Sequence, residues 1–397
     1  MIRRLLPIAL LFSTKIAFAQ DPAVAPNATP SPAPTLSPAP APTTTTPPST
    51  AVVNLDAPPS YEGTIAPPTA AASKPHGDGI QAGLEVFAEY KLTVTRSQTG
   101  SSDWFHEFDL PRAHGAIDGR YKDVGGRIVL EAVRSASEGA LIGVSGNSLV
   151  LRIREAYGSW NPIEAVKLQA GVIPTLTIPE FDGTWMLRAI APSTIESAGL
   201  EAAADLGASA SWDLPKKYGR IAIAGYNGEG YASPELNRGK NVEAAAEIHP
   251  VPTGAMLPFG VFVSGESGST GTELARANRA SGGLVWQGAK LRAGILGTYA
   301  WGVEDVGAQR AVLADAFVRV EPIDRVLLGA RFSYLVRDVG ANPPDALSSF
   351  WATVGYRVRD PLEAFVAFTR SVPTARAESE LPGTNEWDLR AIVRVVF

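Results

Sequence analysis

The last eleven residues, Trp387-Asp388-Leu389-Arg390-Ala391-Ile392-Val393-Arg394-Val395-Val396-Phe397, set the tightest limit on what this chain can fold into. One parity carries Trp387, Leu389, Ala391, Val393, Val395 and Phe397; the other carries Asp388, Arg390, Ile392, Arg394 and Val396. Successive side chains of a strand point to opposite faces, so one face here suits lipid and the other water. The same alternation runs through 200–212, 325–334 and 362–369. From Gly79 onward, period-two segments predict sixteen strands, near 80–96, 107–121, 126–136, 148–159, 164–173, 199–212, 219–227, 241–249, 258–266, 275–286, 289–300, 309–320, 324–336, 347–358, 361–370 and 386–397.

Two kinds of connection alternate between these segments. Short ones fall at 122–125, 161–162, 215–217, 250–257, 287–288, 321–323 and 359–360. Long polar ones fall at 97–106, 137–147, 174–197, 228–240, 267–274, 301–308, 338–346 and 371–385. Short turns at one rim and long loops at the other characterise bacterial outer-membrane barrels. The expected fold class is therefore all-β: a 16-stranded antiparallel transmembrane β-barrel over 79–397. A sandwich would bury large apolar residues on the face that is here charged or small. Lipid tolerates no open sheet edge, so closure follows. Trp160, Trp212, Trp286, Tyr356 and Phe397 lie near strand ends, where aromatic girdles sit. The alternative is an exported soluble β-protein.

Composition narrows the function classes. There is no cysteine, which removes disulfide scaffolds and thiolate chemistry. The net charge of −5 offers no basic face for nucleic acid, and no run of 18 apolar residues predicts a membrane helix. Arg3 and Arg4, the apolar run Leu5–Phe12 and Ala17-Phe18-Ala19 describe a signal peptide over 1–19. Residues 20–78 hold nearly half of the 32 prolines, with alanine, threonine and serine, and read as a disordered periplasmic linker. Together these features predict the Gram-negative outer membrane, with lipid and lipopolysaccharide as neighbours.

Family likeness enters through short motifs. The terminal Phe397 resembles the signal by which the barrel-assembly machinery receives outer-membrane barrels. Ile153-Arg154-Glu155-Ala156-Tyr157, Leu168-Gln169-Ala170-Gly171-Val172-Ile173-Pro174 and Ser197-Ala198-Gly199-Leu200-Glu201 resemble strand motifs of the phosphate-selective porin O/P family. That resemblance implies a sixteen-stranded porin, a diffusion channel for ions and small hydrophilic solutes, a homotrimer, and a third long loop that constricts the lumen. The 174–197 connection is the third long one and supplies Glu180, Asp182, Trp185 and Arg188. Family members that select phosphate do so with arginines and a lysine ladder, whereas lysines are few here.

Parity predicts the pore-lining set: Arg152, Arg154, Lys167, Lys290, Arg292, Arg319, Arg331, Arg357, Arg390 and Arg394, with Glu201, Asp205, Glu243 and Glu247. Glu131, Asp315, Glu363 and Asp388 share that face. Acids gather on 199–212 and 241–249, arginines on the strands from 289 to 397, which predicts a transverse field and a weak anion preference. No catalytic centre, metal site or cofactor is expected. The four histidines (His76, His106, His114, His249) lack ligand spacing. Gly265-Glu266-Ser267-Gly268-Ser269 and Gly143-Val144-Ser145-Gly146-Asn147 miss the final glycine of a nucleophile elbow. A barrel hydrolase would need His114 on the outer wall with Ser135 or Ser148. The remaining alternative is a structural anchor whose proline-rich arm contacts cell wall or a periplasmic partner.

Overall fold

The period-two pattern is realised as strands from Gly79 to Val396. The computed structural model describes residues 78–96, 100–134, 149–188, 190–303, 306–380 and 385–397. The expected signal peptide, nearly all of the linker and the 137–147 loop lie outside them, as do Ser135 and Ser148. In chain order the strands are β1 (Gly79–Arg96), β2 (Ser102–Tyr121), β3 (Val124–Arg134), β4 (Leu149–Ile163), β5 (Val166–Pro174), β6 (Ala204–Leu214), β7 (Gly219–Tyr226), β8 (Asn241–Ile248) and β9 (Phe259–Ser267). A two-residue pair, β10 (Ser269–Thr270) and β11 (Ala275–Arg276), stands apart in a loop. Then follow β12 (Asn278–Gln287), β13 (Leu291–Val303), β14 (Val306–Ile323), β15 (Val326–Asp338), β16 (Asp345–Arg359), β17 (Leu362–Pro373) and β18 (Glu386–Val396).

All but β10 and β11 form one closed antiparallel barrel of sixteen strands, in which β18 returns to β1. The closing register pairs Glu85 with Val396 and runs to Thr95 opposite Glu386. Phe397 completes the seam, its N–H donating to Leu84 O at 2.8 Å. Outward positions of the last strand, Leu389 and Val393, are exposed, while Asp388 and Ile392 are buried inside. Of the five girdle aromatics, Trp160, Trp212, Tyr356 and Phe397 are exposed, and all five lie within a few residues of short turns or of the chain end.

Strict parity fails wherever the register shifts, and two such bulges, in β4 and β2, bear on the charged interior. Between Val129 and Leu130 the partner residue jumps from Glu155 to Ile153, leaving Arg154 as the extra residue of β4. A bulge re-aims every side chain beyond it, so Glu155 and Tyr157 point inward and Trp160 outward. In β2 the register moves from Arg112 to Asp109 across Phe87/Glu89. Pro111 sits there, where its missing N–H costs no ladder bond. Before that bulge Phe108 is 83% exposed; after it His114 is 5% exposed and turned inward.

Some expected boundaries need correction. The sixth barrel strand starts at Ala204, not 199, so Gly199, Leu200 and Glu201 belong to the preceding connection. The expected long loops at 97–106 and 301–308 shrink, because β2 begins at Ser102, β13 reaches Val303 and β14 begins at Val306. Strand length varies around the wall: β1, β2 and β14 have 18 to 20 residues, whereas β5, β7 and β8 have eight or nine. The wall is thus low where the 175–203 connection leaves it, and that connection turns inward.

Candidate functional site

Residues 175–203 carry two helices, α1 (Thr177–Trp185) and α2 (Thr194–Ser197). α1 ends at Met186, whose left-handed backbone (φ 55°) lets its N–H reach Asp182 O at 2.7 Å. α2 begins with Ser193-Thr194-Ile195-Glu196, where Ser193 Oγ accepts from the Glu196 N–H, half of a capping box. Ile178, Phe181, Trp185, Leu187, Ile190 and Ile195 of this segment are almost fully buried. They pack on inward residues of the wall, among them Phe262, Val285, Leu296, Leu313, Phe317 and Ile392.

Much of the arginine and acid set expected to line a pore instead holds this loop. Arg331 on β15 donates to Pro192 O (2.8 Å) and Thr194 Oγ1 (2.8 Å), pairs with Asp315 (2.6 Å), and lies over the rings of Trp185 and Trp351. Arg390 donates to Ile190 O (2.7 Å) and Arg292 to Gly183 O (3.0 Å). Glu243 accepts from Leu176 N (2.8 Å), Thr177 Oγ1 (2.6 Å) and Tyr226 Oη (3.0 Å). Glu247 is buried beneath α1 beside His249. Asp205 accepts from Gly228 N (2.7 Å), fixing the neighbouring 227–240 loop.

The loop's own expected residues sort the same way. Trp185, 1% exposed, packs edge-on against Phe317 and so faces the wall. Glu180, also 1% exposed, accepts from Gln287 Nε2 at 2.7 Å. Arg188 bonds Asp182 and, in a fork, both oxygens of Glu196 (2.6 and 2.7 Å). Burial alone would raise the Glu196 carboxyl, but the Arg188 guanidinium outweighs it and holds it at about 2. Burial would lower Arg188, and its two acids outweigh that and raise it.

Opposite this loop, β2, β3 and β4 present a cluster that parity only partly found. Glu131, wholly buried, accepts from Arg152 Nε (2.8 Å) and Tyr231 Oη (3.0 Å), pairs with the Arg112 guanidinium (Nε at 3.1 Å), and contacts His114 Nε2 (3.0 Å). Arg154 Nη1 lies 3.5 Å from the same histidine nitrogen. Arg112 Nη1 approaches Glu196 at 3.9 Å, so wall and loop meet. Four guanidiniums (Arg112, Arg152, Arg154, Arg188) face three carboxylates (Glu131, Asp182, Glu196), one positive charge in excess. His114 faces this interior, not the outer wall that a barrel hydrolase requires.

Near the short-turn rim, Arg394 bridges Glu85 (2.5 Å) and Glu363 (2.9 Å), Arg357 contacts Glu363 (3.4 Å), and Arg319 contacts Glu321 (2.5 Å). Lys167 is half-buried on β5, opposite Ser211. Two expected pore-lining positions need correction. Lys290 lies on the turn before β13, 70% exposed and 3.7 Å from Asp324, because the hairpin ends before it. Glu201 lies on the return from α2; its burial and the charges of Glu243 and Glu266 push its carboxyl well above the ordinary range. On the arginine-rich side the charges pair locally, Arg331 with Asp315 and Arg394 with Glu85 across the β18–β1 seam. Sequence parity missed Arg112, Arg127 and Glu155; the last two pair at 3.1 Å because of the bulge at Arg154. Two adjacent charges, Arg154-Glu155, inside a period-two strand were the available signal.

The barrel resembles the outer membrane channel DcaP of Acinetobacter baumannii, with a TM-score of 0.52 at 11% identity over 84% of this chain and 100% of that one. It also resembles Salmonella typhi OmpF in complex with daunomycin, with a TM-score of 0.57 at 12% identity over 81% and 98% of the two chains. Outer-membrane expressed OmpT of Vibrio cholerae gives 0.54 at 10% identity over 82% and 99%. At these identities the likeness is one of fold. No family model matches the chain, and no curated protein matches its sequence.

Proposed function

We propose that this chain is an outer-membrane porin, a passive channel through which ions and small hydrophilic solutes diffuse, and not an enzyme. The observation that carries the reading is the inward loop. A closed barrel with an apolar outside and ionised inside holds a buried segment whose charged edge, Arg188 with Asp182 and Glu196, meets Arg112 on the opposite wall. The loop is then the constriction. Charges at a narrow, low-dielectric gap act on passing solutes more strongly than charges in open water. One excess guanidinium, with Arg154 Nε buried and unpaired, supports a weak anion preference.

The motif likeness in 153–157 and 168–174 supports kinship with the phosphate-selective porin O/P family, and the solved channels of like fold support an outer-membrane setting with lipid and lipopolysaccharide around it. Phe397 closing the seam is the feature that the barrel-assembly machinery would read. A homotrimer is the proposed assembly, and the N-terminal 1–19 and 20–78 segments the proposed export signal and periplasmic arm. Liposome swelling tests the reading. Vesicles carrying the protein should swell in small sugars and less in larger ones; vesicles that do not swell would favour the anchor instead.

A further inference from the structure

We infer that the underside of α1 carries a pH-sensitive latch, in which the Glu180 carboxyl holds the inward loop against the wall only while it keeps its proton. Four side chains meet there almost without solvent contact: Glu180, Glu247 and His249 at 1% exposure each and Gln287 at 4%. Four of their polar atoms have no hydrogen-bond partner, namely Glu180 Oε2, Glu247 Oε1, Gln287 Oε1 and His249 Nε2. Three of these are acceptors. An unmet buried polar atom is costly, and two buried carboxylates side by side are costlier still.

The available donors are already committed. Gln287 Nε2 gives its hydrogens to Glu180 Oε1 (2.7 Å) and Thr184 Oγ1 (2.9 Å). His249 Nδ1 donates to Phe259 O (2.9 Å), and its Nε2 lies 3.4 Å from Glu247 Oε1. A proton on Glu180 Oε2 supplies the donor that this acceptor-rich cluster lacks. The other charges near it come from β7 and β13. Arg220 is held by Asp213 at 2.5 Å, and Arg292 is spent on Gly183 O, with Arg319 and Glu321 beyond. Asp182, on the same helix, is turned to Arg188. None of these guanidiniums hydrogen-bonds Glu180 among the described residues. Burial first, and then the charge of Glu247, push the Glu180 carboxyl well above its ordinary range. The Glu247 contact raises His249 against the opposing effect of burial.

The sign follows from linkage. A carboxyl whose proton is bound more tightly in the docked loop favours docking fully below the ordinary carboxylate value near 4.3. Docking then weakens by up to about tenfold per pH unit until the docked group itself ionises, and changes no further above that. The readout is hydrogen exchange at 176–188 in the full chain in detergent, corrected for intrinsic exchange, so it stands apart from the channel reading. In the native protein protection should fall with rising pH, and Glu180→Gln, which cannot ionise, should flatten the profile. Glu247→Gln, which removes the second carboxylate, should shrink the response. A flat native profile, a native-like slope in Glu180→Gln, or an undiminished slope in Glu247→Gln overturns the latch. A pH-dependent profile in a barrel that conducts nothing would leave the latch standing and overturn the channel.

Discussion

Glu131 binds Arg112, Arg152 and Tyr231 and touches His114, so one carboxylate restrains most of the cationic wall. Glu131→Gln should leave those guanidiniums uncompensated and raise the anion preference. A unit charge removed about 7 Å from a passing ion, in water-like dielectric, changes its energy by about 0.6 kcal/mol, or about threefold in relative permeability. Reversal potentials in a salt gradient check this. Arg331 is the residue on which the loop rests, through two loop oxygens, one carboxylate and two indole rings. Arg331→Ala strands a buried Asp315 and should destabilise the fold by about 3 kcal/mol, measured by denaturant unfolding, with noisier current as the loop loosens. The Arg188–Glu196 fork should resist acid. With its carboxyl held at about 2, the pair contributes fully above the ordinary value near 4.3 and is lost only as pH falls toward 2. In Glu180→Gln, where the latch cannot titrate, ion selectivity should therefore stay level from pH 8 to 5.

At the scale of elements, Gly171 on β5 shows how closely neighbouring strands of the wall approach. Its φ of +127° and the approach of Ala156 O, 2.3 Å from where a Cβ would stand, leave room for no side chain. Gly171→Ala should cost about 1–3 kcal/mol of stability, seen as a lower unfolding midpoint of the barrel. The strands themselves were legible, because period two is a local property and a closed sheet with one apolar face enforces it along each strand. What parity could not carry was the register after an inserted residue. Arg154-Glu155 and Pro111 marked the bulges of β4 and β2, yet each flips the faces beyond it, and so Glu155 and Arg112 were missed. The loop was recognisable by its length, but its docking was not. Glu180 and Trp185 read as pore residues because nothing near them in sequence names Gln287, more than a hundred residues away, or Arg331 as partners. Contacts of that separation are set by barrel closure rather than by local pattern.

For the whole molecule, the seam is where closure meets charge. β18 and β1 join through backbone bonds and through Arg394–Glu85, Arg390–Glu89 and Lys91–Asp388 on the inner face. The outer face of the same strands is apolar, so one pair of strands presents an apolar and a charged face together. In a porin of this build, water and ions must cross the space between the docked loop and the β2–β4 wall. Planar-bilayer recording of the purified full-length protein tests this most directly. It should yield discrete, ohmic single-channel steps whose reversal potential in a salt gradient lies slightly on the anion side. Silent membranes containing correctly folded barrel, or a strongly cation-selective current, would contradict it.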